Sequence, residues 1–86
     1  MIGYLTGKLL IKKPTQLLID VNGVGYDVSI SLMTFEKIGA EDSASLFIHT
    51  NVSQDAITLF GFISEDERDM FRLLISVSGV GPKTAI

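Results

Sequence analysis

Apolar and polar residues alternate along the chain as far as Phe62, and the period then changes. In 16–22, QLLIDVN, the residues Leu17, Ile19 and Val21 fall on one face. In 24–31, VGYDVSIS, Val24, Tyr26, Val28 and Ile30 do the same. Alternation of this kind marks half-buried strands. Asn22-Gly23 between them predicts a two-residue hairpin, because both residues accept the positive φ of a type I′ turn. Upstream, YLTGKLLIKK reads as a first strand closed by Lys13-Pro14. Downstream, 45–52 (SLFIHTNV) and 56–62 (AITLFGF) read as two more strands around a short turn at Ser53, Gln54 and Asp55. The intervening LMTFEKIGAEDSA has room for one or two helical turns ending at Gly39.

Hairpin-linked strands with one longer connection after the third suit a small closed barrel of five or six strands, mainly β. The oligonucleotide-binding (OB) fold is the best-known architecture of that kind. The pattern alone does not separate it from an SH3-like barrel.

After Phe62 the spacing becomes helical. Ser64 and Glu67 form an S-x-x-E capping box, and Glu65 and Asp66 place negative charge where the helix dipole favours it. Met70, Phe71, Leu74, Ile75 and Val77 then recur at helical intervals, predicting a helix over 65–77 with Gly79 at its C′ position. The division expected is a barrel over 1–63 and the start of a helical domain over 64–86.

The last ten residues, VSGVGPKTAI, carry the most specific chemistry. Pro82 fits the first position of a second helix, where its missing N–H costs nothing, so Gly81 takes the cap position. A cap normally offers a side-chain oxygen to the first free N–H groups, and glycine has none. The amides of Lys83 and Thr84 are then left for an outside acceptor. Free amides, a positive helix end and a neighbouring lysine suit a phosphate. Gly79 and Gly81 permit close approach to the backbone, while Val80 points inward between the helices. The motif is not a P-loop, because Pro82 interrupts Gly-Lys-[Ser/Thr] and a helix precedes it. It is not a dinucleotide fingerprint either, since position 84 is threonine.

Composition narrows the field. The apolar fraction of 47% fits a globular core rather than a disordered chain. No apolar run approaches the roughly 18 residues of a membrane span, and MIGYLTGK lacks the layout of a signal peptide. A cytoplasmic location is the expectation, with no membrane partner. With no cysteine and His49 as its single histidine, the chain offers no thiolate or zinc site, and no metal or other cofactor is expected. The net charge is −3. Residues 1–63 hold four cations and six anions, and 64–86 hold three and four. Any DNA contact must therefore be local, through a small patch or backbone amides.

Taken in order, the opening MIG, NGVGYDV, DAITLFGF and GVGPK after a capped helix resemble the RuvA family of bacterial Holliday-junction-binding subunits, over essentially the whole chain. The resemblance implies an N-terminal OB barrel, then two helix-hairpin-helix motifs, then a domain contacting the RuvB motor. Only the barrel and the start of the first hairpin are expected here. It also implies a homotetramer holding four-way junction DNA in recombination and repair, with RuvC resolvase as a further partner. The subunit would be non-catalytic, the ATPase residing in RuvB. The family's phosphate hairpin falls on Gly79, Val80, Gly81, Lys83 and Thr84. Its acidic pin falls on the 53–55 turn, where members often carry Arg-Glu-Asp. Here Asp55 keeps one acid and Gln54 replaces the other, so a weaker pin is expected.

His49 reads as a packed or surface histidine, since no nucleophile and orienting group can be assembled around it. Phe60 and Phe62 share a strand face. Exposed, they would be a base-stacking platform for single strands; buried, they would seal the barrel against the following helix, which is the reading favoured. Lys8, Lys12 and Lys13 read as a solvated strand edge, and Asp20 and Asp27 as outward hairpin positions.

Overall fold

The computed structural model describes residues 1–77 and 81–86, with Lys83 and Thr84 described for their backbone alone. Ser78, Gly79 and Val80 lie outside the described residues. The chain runs β1 (Tyr4–Lys13), β2 (Gln16–Val21), β3 (Val24–Ser29), α1 (Leu32–Ile38), β4 (Ser43–Val52), β5 (Ile57–Phe62), α2 (Glu65–Ile75) and α3 (Pro82–Ala85).

The five strands close into a barrel in the order β1-β2-β3-β5-β4, with β4 pairing back onto β1. All pairings are antiparallel except β3 with β5, which meet in parallel at Val28↔Leu59 and Ser29↔Phe60. A five-stranded barrel with this order and a helix between β3 and β4 is an OB fold. This excludes the SH3-like alternative that the alternation pattern left open.

The β2–β3 hairpin follows from local chemistry. Asn22 has φ 52° and Gly23 φ 90°, as a type I′ turn requires. The Asp20 carboxylate accepts from the Gly23 N–H at 2.8 Å, so Asp20 is half-buried and serves the turn rather than simply facing solvent. Leu17, Ile19, Val28, Ile30, Leu46, Ile48 and Leu59 fill the barrel interior. Ile38 of α1 joins the same core, with Phe35 packed against it. Ser31 caps α1 by accepting from the Thr34 N–H.

At the other end of α1, Lys12 donates to the carbonyls of Gly39 and Glu41. Lys12 is exposed, as a solvated edge requires, but its ammonium is engaged rather than free. Its ammonium satisfies the carbonyl of the α1 C-cap and one in the loop beyond it.

Beyond β5 Ser64 caps α2, as the S-x-x-E motif predicts. Ser64 accepts from the Glu67 N–H at 3.2 Å and points its hydroxyl at the Glu67 carboxylate. The Glu67 carboxylate also meets Lys37 of α1 at 3.3 Å. The helix ends at Ile75, two residues short of the sequence expectation. Ser76 bonds the Leu73 carbonyl through Oγ at 2.6 Å and tightens the last turn with bonds from its own N–H and that of Val77. No helix among the described residues is long and apolar enough to cross a membrane.

Candidate nucleic-acid interface

The pairing register shows how the β4–β5 turn is presented. β4 pairs with β1 only through Phe47, and β5 pairs with β3 only at Leu59 and Phe60. Thr50 is still flanked by the N-terminal segment, accepting from the Ile2 N–H and donating to the Ile2 carbonyl. Beyond Thr50↔Leu59 the ribbon continues through Asn51↔Thr58 and Val52↔Ile57 with no third strand paired to it among the described residues. The turn therefore stands free of the barrel, at the opposite end of β4 from α1.

Ser53 ties that turn. Its N–H bonds the Ala56 carbonyl at 2.9 Å, its hydroxyl bonds the same carbonyl, and its Oγ accepts from the Ala56 N–H at 3.2 Å. Aspartate often stabilises a tight turn through its side chain, but here Ser53 does so and the Asp55 carboxylate is left out of the turn's bonding among the described residues. Gln54 and Asp55 are exposed, and neither side chain has a hydrogen-bond or ion-pair partner among the described residues.

The second candidate site is the turn into α3. Gly81 is the N-cap of α3, with extended backbone (φ −89°, ψ 164°), no side-chain cap bond and Pro82 at the start of the helix. A Cβ built on Gly81 would meet nothing within 4 Å among the described residues. Gly79 and Val80 lie outside the described residues, and the side chains of Lys83 and Thr84 do too. The cap geometry at Gly81 and Pro82 matches the sequence reading.

Phe60 and Phe62 are 2% and 6% exposed and surround Phe71 of α2, at ring distances of 5.2 and 5.0 Å. That burial removes the stacking platform a generic single-strand binder would need. Of the predicted apolar face of α2, only Phe71 is buried and Ile75 half-buried; Met70 and Leu74 instead line an open groove of about 450 Å³ with Leu32, Met33, Ala85 and Ile86.

A feature missed from sequence lies where α2 crosses β4. Arg68 lies 5.5 Å from the Phe47 ring centre and bonds Glu65 and Asp69 at 3.3 and 3.4 Å. Arg72 donates from Nε to His49 Nδ1 at 3.1 Å, and the His49 ring edges onto Phe71. The i, i+4 spacing of Arg68 and Arg72 was the available signal, but nothing in it named β4 as the partner. Burial, then the Arg72 and Arg68 charges, lower the His49 pKa from the ordinary 6.5.

The unfolded chain takes up the His49 proton more readily, so the stabilisation is complete above pH 6.5 and is lost as pH falls through the folded value. Thermal melts of the wild-type chain between pH 7.5 and pH 5 are expected to show a drop that His49→Gln flattens. Parallel pH profiles for the two would show that His49 is not the titrating group.

The fold and these sites define an OB-fold module with a helical extension docked on its outer wall. Residues 1–61 match the RuvA N terminal domain. The chain is 55% identical over 86 residues to the Holliday junction branch migration complex subunit RuvA of Geobacter sp. (strain M21), covering 99% of this chain and 43% of that protein. It is 54% identical to the subunit of the same name from Acidobacterium capsulatum, covering 100% of this chain and 44% of that protein. For the subunit of Christiangramia forsetii the identity is 49%, with 99% and 44% covered. The chain belongs to the RuvA family, and it spans less than half the length of these relatives.

Proposed function

We propose that this chain is the junction-binding part of a non-catalytic branch-migration subunit. Residues 1–63 form its barrel and 64–86 begin a helix-hairpin-helix domain. In this reading it acts as a homotetramer on four-way DNA in the bacterial cytoplasm, with the RuvB motor supplying ATP hydrolysis and RuvC as a further partner. The observation that carries the reading is the free-standing ribbon tipped by an unpartnered carboxylate, joined to the same small barrel as a glycine-capped, proline-started helix.

The two sites divide the work. Backbone amides of Gly79, Val80, Gly81, Lys83 and Thr84 and the Lys83 charge hold phosphate in any DNA form. Asp55 discriminates. Fourfold symmetry gathers four tips near one axis, where an open junction has a gap and a continuous duplex has phosphates. Each like-charge pair at 4–8 Å costs about 0.5–1 kcal/mol in a water-like dielectric. Four such pairs amount to about 2–4 kcal/mol before screening; with salt screening and Gln54 in place of a second acid, the preference for junction over duplex is expected in the lower part of a few-fold to about hundred-fold range.

A band-shift comparison of four-way junction, linear duplex and single strand tests this, run at a concentration where sedimentation shows the tetramer. Lys83→Glu is expected to weaken binding to every form and to reduce the salt slope by about one unit per lost phosphate contact. Asp55→Asn is expected to raise duplex affinity and leave junction affinity nearly constant. An unmoved junction-to-duplex ratio at low salt would remove Asp55 from the mechanism, and an unmoved slope would remove the hairpin.

A further inference from the structure

The interior-facing stripe of the β4–β5 ribbon runs past the end of the barrel it fills. Leu46, Ile48 and Thr50 on β4 and Leu59 on β5 are buried, and Gly61 beside Leu59 faces the Val28, Leu46 and Ile30 side chains. The next positions on that face are Val52 and Ile57, which are register partners and are 63% and 71% exposed. A ribbon without neighbours ordinarily carries polar or charged side chains there, because exposed apolar strands invite association. Here both are branched and apolar, and they form a two-residue ledge directly beneath Gln54 and Asp55.

The chemistry around the ledge sorts its possible occupants. No cation lies between Asn51 and Thr58. A phosphate would meet the Asp55 carboxylate with nothing to offset it. A second copy seated directly on the ledge, tip to tip, would press its own Asp55 against this one at closer range than tips spaced around a shared axis, again without a cation on either side. An uncharged, flat, apolar face with polar edges meets no such penalty, and the Gln54 amide has both donors and an acceptor for those edges. That description is a nucleobase.

We propose that Val52 and Ile57 form an apolar ledge that packs against a base at the branch point, with Gln54 at its edge and Asp55 holding phosphates away. The proposal rests on the junction-binding reading above. At a four-way branch the terminal pair of each arm lacks a stacked continuation, and apolar side chains are known wedges against such faces. The ledge replaces lost stacking and keeps the pair ready to open.

The test uses a four-way junction with 2-aminopurine at the branch point, and the variant V52T/I57T. Threonine keeps the β-branch and removes only apolar surface at exposed sites, and a thermal melt checks that the variant is folded. Wild-type binding is expected to change the fluorescence, and the variant to lose about half or more of that change. Its junction affinity is expected to fall about three- to tenfold while duplex affinity holds. An undiminished signal with undiminished junction affinity in the variant overturns the ledge. Wild-type binding without any fluorescence change also overturns it and leaves junction binding standing. No wild-type junction binding by band shift overturns both readings. A change in sedimentation of the DNA-free variant would reassign the pair to contacts between copies.

Discussion

Truncating Phe71 to alanine is expected to release α2 from the barrel while the barrel stays folded. Phe71 is 2% exposed, whereas Met70, Leu73 and Leu74 of the same helix are 58%, 64% and 40% exposed. The helix is therefore held chiefly by one ring, set between Phe60, Phe62 and His49. Removing a buried phenylalanine costs about 3–5 kcal/mol. The remaining links are the half-buried Ile75, Arg68 against Phe47, the Arg72–His49 bond and the exposed Lys37–Glu67 pair, and an exposed pair of that kind contributes about 0–1 kcal/mol. They do not replace the ring. An 11-residue helix without tertiary packing is marginal in water, so α2 should fray once undocked. Hydrogen exchange reads this directly. Amides of α2 should lose protection, those of Leu46 and Ile48 should keep it, and Phe71→Leu should fall between. Equal loss of protection in barrel and helix would mean that the two form one cooperative unit. Because α2 leads into the Gly81–Pro82 turn, the same substitution should weaken DNA binding without touching a proposed contact.

A second large effect is expected at Gly7. β1 is ten residues long and serves both halves of the barrel, pairing with β4 over 4–8 and with β2 over 8–13. Lys8 is the residue shared by both ladders, and a register shift follows between Leu9 and Ile11. At this bend Gly7 approaches β2 so closely that a Cβ would lie 2.3 Å from the Asp20 carbonyl oxygen and 2.9 Å from Ile19 Cγ2. The first of these is backbone and cannot rotate away. Gly7→Ala is expected to cost about 2–4 kcal/mol through the shift it forces, and Gly7→Val more. For a domain of this size each kcal/mol lowers the melting temperature by about 4–8 °C, so the valine variant should melt more than about 10 °C below the wild-type chain. Gly3→Ala is the control, because a Cβ there meets nothing within 4 Å. Similar melting temperatures for the Gly3 and Gly7 variants would show that β1 relaxes around the added atom.

The strands, the Asn22-Gly23 turn and the Ser64 cap were legible because their causes are local. Period-two alternation, a positive-φ dipeptide and an S-x-x-E box each act within a few residues. The order of the barrel was not legible in the alternation itself. Pairing β3 with β5 in parallel and β4 back onto β1 depends on which faces meet after collapse, and alternation is the same for an OB and an SH3-like barrel. The extent of α2 was misjudged because Ser76 competes for the final carbonyls. Its buried face was overdrawn too, because helical spacing shows which residues share a side but not how wide the surface opposite is.

The candidate sites divide in the same way. Gly81 and Pro82 were readable, since cap chemistry belongs to the dipeptide. Asp55 was placed on its turn by the strand signals to either side. That its carboxylate stands on a two-stranded ribbon beyond the barrel wall, with Ser53 already closing the turn, required the register. Val52 and Ile57 looked like ordinary strand residues, because their side of the strand is the core side. They are exposed only because β1 and β3 end their pairing before reaching them. The same holds for His49 and Arg72, 23 residues apart in the chain and 3.1 Å apart in the fold. Local propensity writes the elements into the chain, whereas contacts distant in sequence arise from the closure of the barrel and the docking of α2 upon it.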